Sequence, residues 1–366
     1  MARIELDNIA HSYKPNPQGP DDYAIKRIHT TWDDGGAYAL LGSSGCGKTT
    51  MLNIISGLLA PSQGRILYDG KDVTNLPPEK RNIAQVFQFP VLYDTMTVFD
   101  NLAFPLKNRG VDPTKIKQRV LEIAETLDLT PFLDKRASGL AADAKQKISL
   151  GRGLVREDVA AILFDEPLTV IDPHLKWQLR RKLKEIHKQF KLTLIYVTHD
   201  QTEAMTFADN IVIMADGRLL QIGAPEELFE NPAHTFVGYF IGSPGMNILP
   251  CTLEGDKAKM SCGEVPIDAE LARKALAKGG KLELGIRPLF LDLRTEASSD
   301  AILGRVETVE DEGASRIVTV IVGEQKLKAR IAEDKTIPES ECYVHFPKEK
   351  TKIFSDGYLV GEENAS

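Results

Sequence analysis

A glycine-rich segment near the start of the chain has the residue types that bind phosphate. The segment from Gly42 to Thr49 follows the pattern G-x-x-x-x-G-K-[ST], with Gly47 and Lys48 at the fixed positions. Glycines allow backbone N–H groups to turn toward phosphate oxygens, which a lysine then attracts further. Lys48 would reach the β- and γ-phosphates of a nucleotide, and the Thr49 hydroxyl would bind Mg²⁺. The pattern therefore predicts a nucleoside triphosphate site.

The segments on either side of this loop are those that a phosphate site requires. Residues 37–41 form a short apolar run that ends at Gly42, which predicts a buried strand. Residues 50–59 carry apolar side chains at helical spacing and are followed by Ala-Pro-Ser, which predicts a helix and its end. Such a helix would direct its partially positive N-terminus at the same anion.

Two further apolar runs end in polar side chains. Residues 160–164 lead into Asp165 and Glu166, and residues 192–197 lead into Thr198 and His199. Both runs predict parallel strands covered on both faces. Ligands of open α/β sheets bind at the carboxyl ends of the strands, so we expect these side chains near the phosphate loop.

The order of patterns predicts two domains. Residues 1–242 predict an α/β P-loop nucleotide-binding domain with a helical insert at about 95–156 and a hairpin at 211–222. Residues 243–366 contain short alternating segments joined by Gly, Asp and Lys turns, which predict an all-β OB-like domain.

Composition narrows the class of protein. The chain has 366 residues, 42% hydrophobic and 27% charged, with a formal net charge of −7. An acidic chain without a basic stripe argues against nucleic acid as a partner. The four cysteines form no CxxC pair, which predicts free thiols in a reducing compartment. The chain begins without a signal-peptide pattern and has no apolar stretch of the ~18–20 residues that a membrane span needs, so we expect a cytoplasmic protein.

The extended phosphate-loop string, together with the Asp165–Glu166 and His199 elements, resembles the ABC transporter ATPases. Within that family it is most similar to the ATP-binding subunits of carbohydrate importers of the maltose-importer class, over essentially the whole chain. The resemblance implies an ATP hydrolase coupled to transmembrane transport, with ATP and Mg²⁺ as cofactors. It also implies that the second domain supports dimerisation and can receive regulatory proteins.

The resemblance assigns roles residue by residue. It implies that Glu166 is the general base, that His199 contacts the γ-phosphate and that Gln88 touches both Mg²⁺ and the attacking water. It implies Mg²⁺ ligation by Thr49, Gln88 and Asp165. It implies that Asp172 belongs to a loop that crosses to a partner subunit. Tyr13 would stack on adenine, with Tyr23 as the alternative, and the implied nucleotide-binding residues are Tyr13, Gly42, Ser43, Ser44, Gly45, Cys46, Gly47, Lys48, Thr49 and Thr50.

One motif departs from the family pattern. Where the family opens a helix with Leu-Ser-Gly-Gly-Gln, residues 140–144 read Leu-Ala-Ala-Asp-Ala. Ala141 has no hydroxyl to donate to a γ-phosphate, and Ala142 replaces a glycine that allows close backbone approach. Asp143 places a carboxylate near the expected anion and should repel it. The crossing loop differs too, since Thr-Val-Ile-Asp172 stands where Ser-x-Leu-Asp is usual.

The altered segment also has a purely structural interpretation. Asp143 could be the N-cap of the following helix, with Gln146 three residues on as its capping-box partner. A register shifted to Ser138 and Gly139 would restore a Ser-Gly pair. We expect the segment to keep its helix and to lose phosphate affinity.

These features lead to a hypothesis about assembly. The resemblance implies that two such ATPases enclose each ATP between the Walker motifs of one subunit (the phosphate loop and Asp165–Glu166 here) and the signature of the other (residues 140–144 here). Because only the signature is altered in this chain, we expect a heterodimer in which a second ABC ATPase carries a normal signature. Transmembrane permease subunits and, indirectly, a solute-binding protein are the other expected partners, which places the chain on the inner face of the cell membrane. The resemblance favours a sugar, polyol or glycerol-type solute.

Other functions compete with this hypothesis. A homodimer is the alternative assembly, and it would carry two impaired sites. The altered signature also fits a nucleotide-binding regulatory ABC subunit with little turnover. A soluble ABC ATPase outside transport would usually carry fused cassettes or coiled-coil inserts. A P-loop kinase would leave Asp165, Glu166 and His199 unexplained as a set.

Overall fold

The computed structural model describes residues 2–169, 171–298 and 300–361. They form two compact units, residues 1–225 and 226–366, which are described separately below. The domain boundary expected at residue 242 stays a prediction. In the described part of the chain no helix has the length and apolar character needed to cross a membrane. Cys46, Cys251, Cys262 and Cys342 are free thiols, as predicted.

The first unit is an α/β structure built on two sheets. Its strands are β1 (Ile4–His11), β2 (Ile25–Trp32), β3 (Ala37–Gly42), β4 (Gln63–Tyr68), β5 (Lys71–Asp72), β6 (Ala84–Val86), β7 (Ile162–Asp165), β8 (Leu194–Thr198), β9 (Asn210–Ala215) and β10 (Arg218–Gly223). Its helices are α1 (Lys48–Ser56), α2 (Pro78–Arg81), α3 (Val98–Lys107), α4 (Pro113–Thr126), α5 (Ala142–Leu154), α6 (Pro173–Phe190) and α7 (Gln201–Phe207).

The larger sheet determines where the functional loops meet. Its strand order is β10-β9-β3-β8-β7-β6, and all neighbours are parallel except the β9–β10 hairpin. Strands β3 and β8 are buried along their whole length, as expected for parallel strands covered on both faces. Because β3, β8, β7 and β6 run in one direction side by side, the loops that follow them emerge along one edge.

Helices α3, α4 and α5 lie between β6 and β7 in the sequence, inside the region where a helical insert was expected. Each of the three helices contributes buried aliphatic side chains, among them Leu102, Val120 and Ile148, which are 0% exposed. Gly151 of α5 has no room for a Cβ, which would lie 2.5 Å from a methyl group of Leu102. The absence of a side chain there lets α3 and α5 pack closely.

The second unit is mainly β-structure. Its sheets have the orders β11-β15-β21-β22, β12-β13-β14 and β16-β20-β17-β18-β19. The strands are β11 (Asn247–Pro250), β12 (Thr252–Glu254), β13 (Lys257–Met260), β14 (Gly263–Pro266), β15 (Leu282–Ile286), β16 (Asp292–Arg294), β17 (Ala301–Asp311), β18 (Ser315–Val322), β19 (Gln325–Ala332), β20 (Glu341–His345), β21 (Lys352–Ser355) and β22 (Tyr358–Leu359). Its helices are α8 (Pro225–Glu230), which begins at the last residue of the first unit, α9 (Thr235–Phe240) and α10 (Ala269–Lys278).

A buried arginine organises the start of the second unit. Arg287 is 2% exposed, and its guanidinium donates to the carbonyl oxygens of Phe229 at 2.9 Å and Gly238 at 2.7 Å. It also donates to the carbonyls of Leu228 and Ile241 and lies over the Phe229 ring. Burial lowers the pKa of Arg287 to about 10. These bonds supply donors to carbonyls in the last turns of α8 and α9, where backbone acceptors lack intrahelical partners.

Candidate functional site

The phosphate loop connects β3 to α1 in a conformation that depends on its glycines. Gly45 and Gly47 have φ angles of 79° and 105°, a region that residues with a Cβ rarely adopt. A Cβ on Gly42 would lie 2.2 Å from the Met214 carbonyl oxygen. Gly47 is the N-cap of α1 and offers no side-chain cap, so the helix N-terminus faces the loop directly.

Lys48 is the first residue of α1, and the loop's own backbone binds its side chain. The ammonium is buried and donates to the carbonyl oxygens of Gly42 at 2.9 Å and Ser43 at 3.0 Å. The Cys46 sulfur lies 3.9 Å from the same nitrogen. Burial raises the pKa of the Cys46 thiol, and the nearby Lys48 charge opposes that shift. The loop therefore holds a positive charge inside a ring of backbone groups, which suits an anionic ligand.

Two adjacent carboxyl groups lie at the carboxyl end of β7, which is separated from β3 in the sheet by β8. Asp165 ends β7, and burial together with the Glu166 charge raises its pKa, while Lys48 lowers it. A cation placed beside this half-buried carboxyl group would stabilise its charged form. Glu166 has a φ angle of 47° and donates its backbone N–H to the Val197 carbonyl at 3.0 Å. This left-handed conformation costs free energy and directs the carboxylate away from the strand.

The Glu166 carboxylate meets the histidine that follows β8. Its Oε2 lies 3.1 Å from Nδ1 of His199 and 3.4 Å from the Thr169 hydroxyl. The His199 ring is 61% exposed, whereas the Glu166 side chain is 25% exposed. A carboxylate that is oriented by an imidazole and open to solvent on one side can accept a proton from a bound water.

Gln88 follows β6, the strand beside β7, and is half-buried. The preceding carbonyl of Phe87 accepts a hydrogen bond from Gln146 of α5 at 3.3 Å. Exposed apolar side chains continue from this point, with Phe89 at 68% and Val91 at 55% exposure. Gln88 therefore lies where the parallel sheet meets an uncovered apolar surface.

Tyr13 lies over the first turn of α1. Its side chain is 65% exposed, and its hydroxyl is 3.1 Å from the Thr50 hydroxyl. The His11 ring packs edge-on against it, with 4.7 Å between ring centroids. Tyr23 accepts a hydrogen bond from Gln63 and, together with Lys26, lines a cavity to which Tyr13 does not contribute. Of the two tyrosines, Tyr13 is the one that the structure brings to the phosphate loop.

The altered segment differs from the expectation at its cap. Helix α5 begins at Ala142, so Ala141 is the N-cap and supplies no side-chain bond. The expected N-cap role of Asp143 and its capping-box pairing with Gln146 are wrong, because Asp143 already lies in the first turn of the helix. Ser138 belongs to a separate 3₁₀ turn (Ala137–Gly139), which does not support a shifted register.

The crossing loop ends at a capped helix. Asp172 is the N-cap of α6 and accepts a hydrogen bond from the His174 N–H at 2.9 Å. Val170, within the Thr-Val-Ile-Asp string, lies outside the described residues.

Sequence reasoning missed the role of Gln146, which is 0% exposed and bonded to two functional loops. Its position among the small and apolar residues of the buried helix face, beside Ile148 and Leu150, was the signal that could have identified it.

Comparisons with known proteins agree with this geometry. Residues 25–169 match the model of the family "ABC transporter", and residues 242–288 match that of the "MalK OB fold domain". A protein of Pectobacterium atrosepticum, "sn-glycerol-3-phosphate import ATP-binding protein UgpC", is 37% identical over 97% of this chain and 98% of its own length. The protein of that name in Salmonella choleraesuis is 39% identical over the same shares.

Solved structures show the same fold for the first part of the chain. CbiO1 from Clostridium perfringens, described as part of the ABC transporter complex cbiONQ, superposes with a TM-score of 0.57 at 27% identity, covering 62% of this chain and 90% of its own. The ATP-binding cassette MJ1267 superposes with a TM-score of 0.53 at 23% identity, covering 63% and 96%, which shows the fold alone. The predicted fold class, an α/β P-loop domain followed by an OB-like domain, is confirmed.

Proposed function

The chain belongs to the ABC transporter family as an importer ATPase, and on that premise we propose that it powers uptake of a glycerol-type solute, with sn-glycerol-3-phosphate as the leading candidate. The family membership and the role of ATP hydrolysis in driving transport were predicted and are confirmed. The solute rests on the names of the relatives, which are similar along the whole chain. Sugars and polyols are the neighbouring alternatives.

The observation that carries the catalytic part of the proposal is the Glu166–His199 pair beside the phosphate loop. Lys48 and the α1 N-terminus bind and orient the phosphates of ATP. The Glu166 carboxylate orients the attacking water and accepts its proton, while His199 fixes the carboxylate and lies next to the terminal phosphate. Gln88 senses the state of the membrane subunits.

The chain's residues fit a bound Mg²⁺. Asp165 is a half-buried carboxyl group whose pKa is raised by burial and by the neighbouring Glu166 charge, and Thr49 adjoins Lys48 in the first turn of α1. Mg²⁺ is usually bound by one or two carboxylates together with other oxygen ligands and substrate phosphates. When bound, the ion neutralises the charge that develops on the phosphates. Asp165, Thr49 and Gln88 are the residues that would hold it.

The working assembly is a heterodimer with a second ABC ATPase. Support comes from the N-terminus of α5, where Ala141 provides no hydroxyl and Asp143 adds a negative charge in the first helical turn. A signature of this composition binds the partner's ATP weakly, so one of the two composite sites hydrolyses slowly. A nucleotide-binding regulatory subunit with little turnover is the second candidate, favoured by the same observation.

The exposed apolar side chains on either side of Gln88 support a permease as partner. Phe87, Phe89, Val91 and Tyr93 all lie on one surface segment and are 38% to 68% exposed. Such a patch favours protein contact. The chain would thus work at the cytoplasmic face of the cell membrane, with a solute-binding protein acting on the permease.

The test is steady-state ATP hydrolysis by the purified chain beside Glu166→Gln. Loss of a positioned general base costs about 10²- to 10⁴-fold in rate. We expect the variant to bind ATP as wild type does and to hydrolyse it at least about 10²-fold more slowly. Hydrolysis by Glu166→Gln at the wild-type rate would refute the assigned base.

A further inference from the structure

Gln146 of α5 is bonded to the two loops that carry the proposed catalytic residues. Its Nε2 donates to the Pro167 carbonyl oxygen at 2.7 Å and to the Phe87 carbonyl oxygen at 3.3 Å. Pro167 follows Glu166 directly, and Phe87 precedes Gln88 directly. One amide group thus links the backbone beside the base to the backbone beside Gln88.

The oxygen of the same amide group has no hydrogen-bond partner among the described residues. Gln146 is 0% exposed, and its Oε1 is buried without a hydrogen bond among the described residues. An unsatisfied buried acceptor costs about 1–3 kcal/mol, and an apolar side chain of the same length would in turn remove the donor that the Pro167 and Phe87 carbonyl oxygens share. What the amide provides at this position is therefore a donor directed at both loops.

Helix α5 also holds the rest of the loop that contains Gln88. Arg152 donates to the Val91 carbonyl and lies over the Tyr93 ring at 5.0 Å from its centroid. Lys145 forms an ion pair of 3.0 Å with Asp94. Residues 87–94 are therefore attached to α5 at several points, and Gln146 also reaches Pro167 in the loop that follows Glu166.

We propose that Gln146 is a positioning residue that sets the distance between Gln88 and Glu166 and transmits displacement of α5 to both. Its hydrogen bonds go to loop carbonyls, so it acts through Gln88 and Glu166. The inference rests on the proposed function for the roles of those two residues. It adds a device by which a movement of the signature helix changes the rate of hydrolysis.

The first test separates positioning from binding. Gln146→Met keeps the length of the side chain and removes both donors, while Ser149→Ala removes a buried hydroxyl from the same helix. We expect kcat of Gln146→Met to fall roughly 10- to 100-fold, as misplacement of reacting groups by about 1 Å does, with KM and Kd for ATP within twofold of wild type. Ser149→Ala should keep wild-type kcat.

The second variant tests the donor itself. In Gln146→Glu, a protonated carboxyl keeps one donor, whereas the carboxylate has none and faces two carbonyl oxygens. Activity relative to wild type should be highest at low pH and fall as the pH rises through the pKa of the introduced carboxyl group. A flat ratio across that range would overturn the role of the donor.

Hydrogen exchange measures the link without turnover. Residues 87–94 and 165–169 should both exchange faster in Gln146→Met than in wild type, and unchanged exchange in either loop overturns the inference. An unchanged kcat, or a parallel loss of kcat, ATP affinity and thermal stability, overturns it as well. If wild type fails to hydrolyse ATP, the proposed function falls, and the exchange of the two loops still decides whether Gln146 links them.

Discussion

Tyr13 provides a quantitative test of how this chain binds the base of ATP. Its ring is 65% exposed, next to the first turn of α1, and His11 supports it edge-on. Stacking of a base on an aromatic ring contributes about 1–3 kcal/mol. Tyr13→Ala should therefore weaken ATP binding by roughly 5- to 150-fold in Kd.

Tyr13→Phe isolates the hydroxyl group. It keeps the stacking surface and removes the bond of 3.1 Å between the Tyr13 and Thr50 hydroxyls. Because this bond is exposed, its contribution lies at the low end of the range, about 0.5 kcal/mol. If nucleotide must displace the bond to reach Thr50, Tyr13→Phe should bind ATP about twofold more tightly than wild type.

The assay is calorimetric titration with MgATP at low temperature, with Tyr23→Ala as the matched control. Tyr23 is bonded to Gln63 and lines another cavity, so its loss should leave Kd unchanged. Unchanged binding by Tyr13→Ala, together with weakened binding by Tyr23→Ala, would refute the assignment and make Tyr23 the base-stacking residue.

Two further predictions concern charge and stability. Burial raises the pKa of Asp165, so the folded protein binds more protons than the unfolded chain and loses stability as the pH rises from the ordinary carboxyl range through the raised pKa. Asp165→Asn should thus raise Tm near pH 7 more than near pH 5 while Mg²⁺-dependent hydrolysis falls; a lower Tm near pH 7 would contradict this. Arg287→Ala should destabilise the second unit by about 3–4 kcal/mol in chemical denaturation, because it leaves several buried carbonyls without donors. Arg287→Lys should recover part of that loss, and a variant as stable as wild type would show that these bonds contribute little.

Much of the fold was predictable because its signals are local. The apolar run at 37–41 became β3, the run at 160–164 became β7 and the run at 192–197 became β8. Each pattern is bounded by Gly, Pro or polar residues, which limits where an element can end. The sheet order was not predictable in this way, since β3 pairs with β8 and β9 across long stretches of sequence.

The candidate site, like the fold, was predictable where the signal is local and not where distant segments meet. Lys48 could be named from the spacing of the phosphate loop, and the positions of Asp165 and His199 after apolar runs predicted that they lie near it, whereas their individual roles came from the family resemblance. The cap of α5 was predicted wrongly, since helix start signals favour Asp143 over Ala141, and the helix begins two residues earlier than that rule indicates. Gln146 could not be assigned from sequence, because its two acceptors are backbone carbonyls on distant loops.

The most direct test of the central claim is ATP hydrolysis by this chain alone and after addition of a second ABC ATPase from the same organism that carries an unaltered signature. We predict slow hydrolysis alone, a rise on adding the partner, and loss of that rise when this chain carries Glu166→Gln. Brisk, cooperative hydrolysis by the chain alone would contradict the heterodimer and show that the Leu-Ala-Ala-Asp-Ala segment supports turnover.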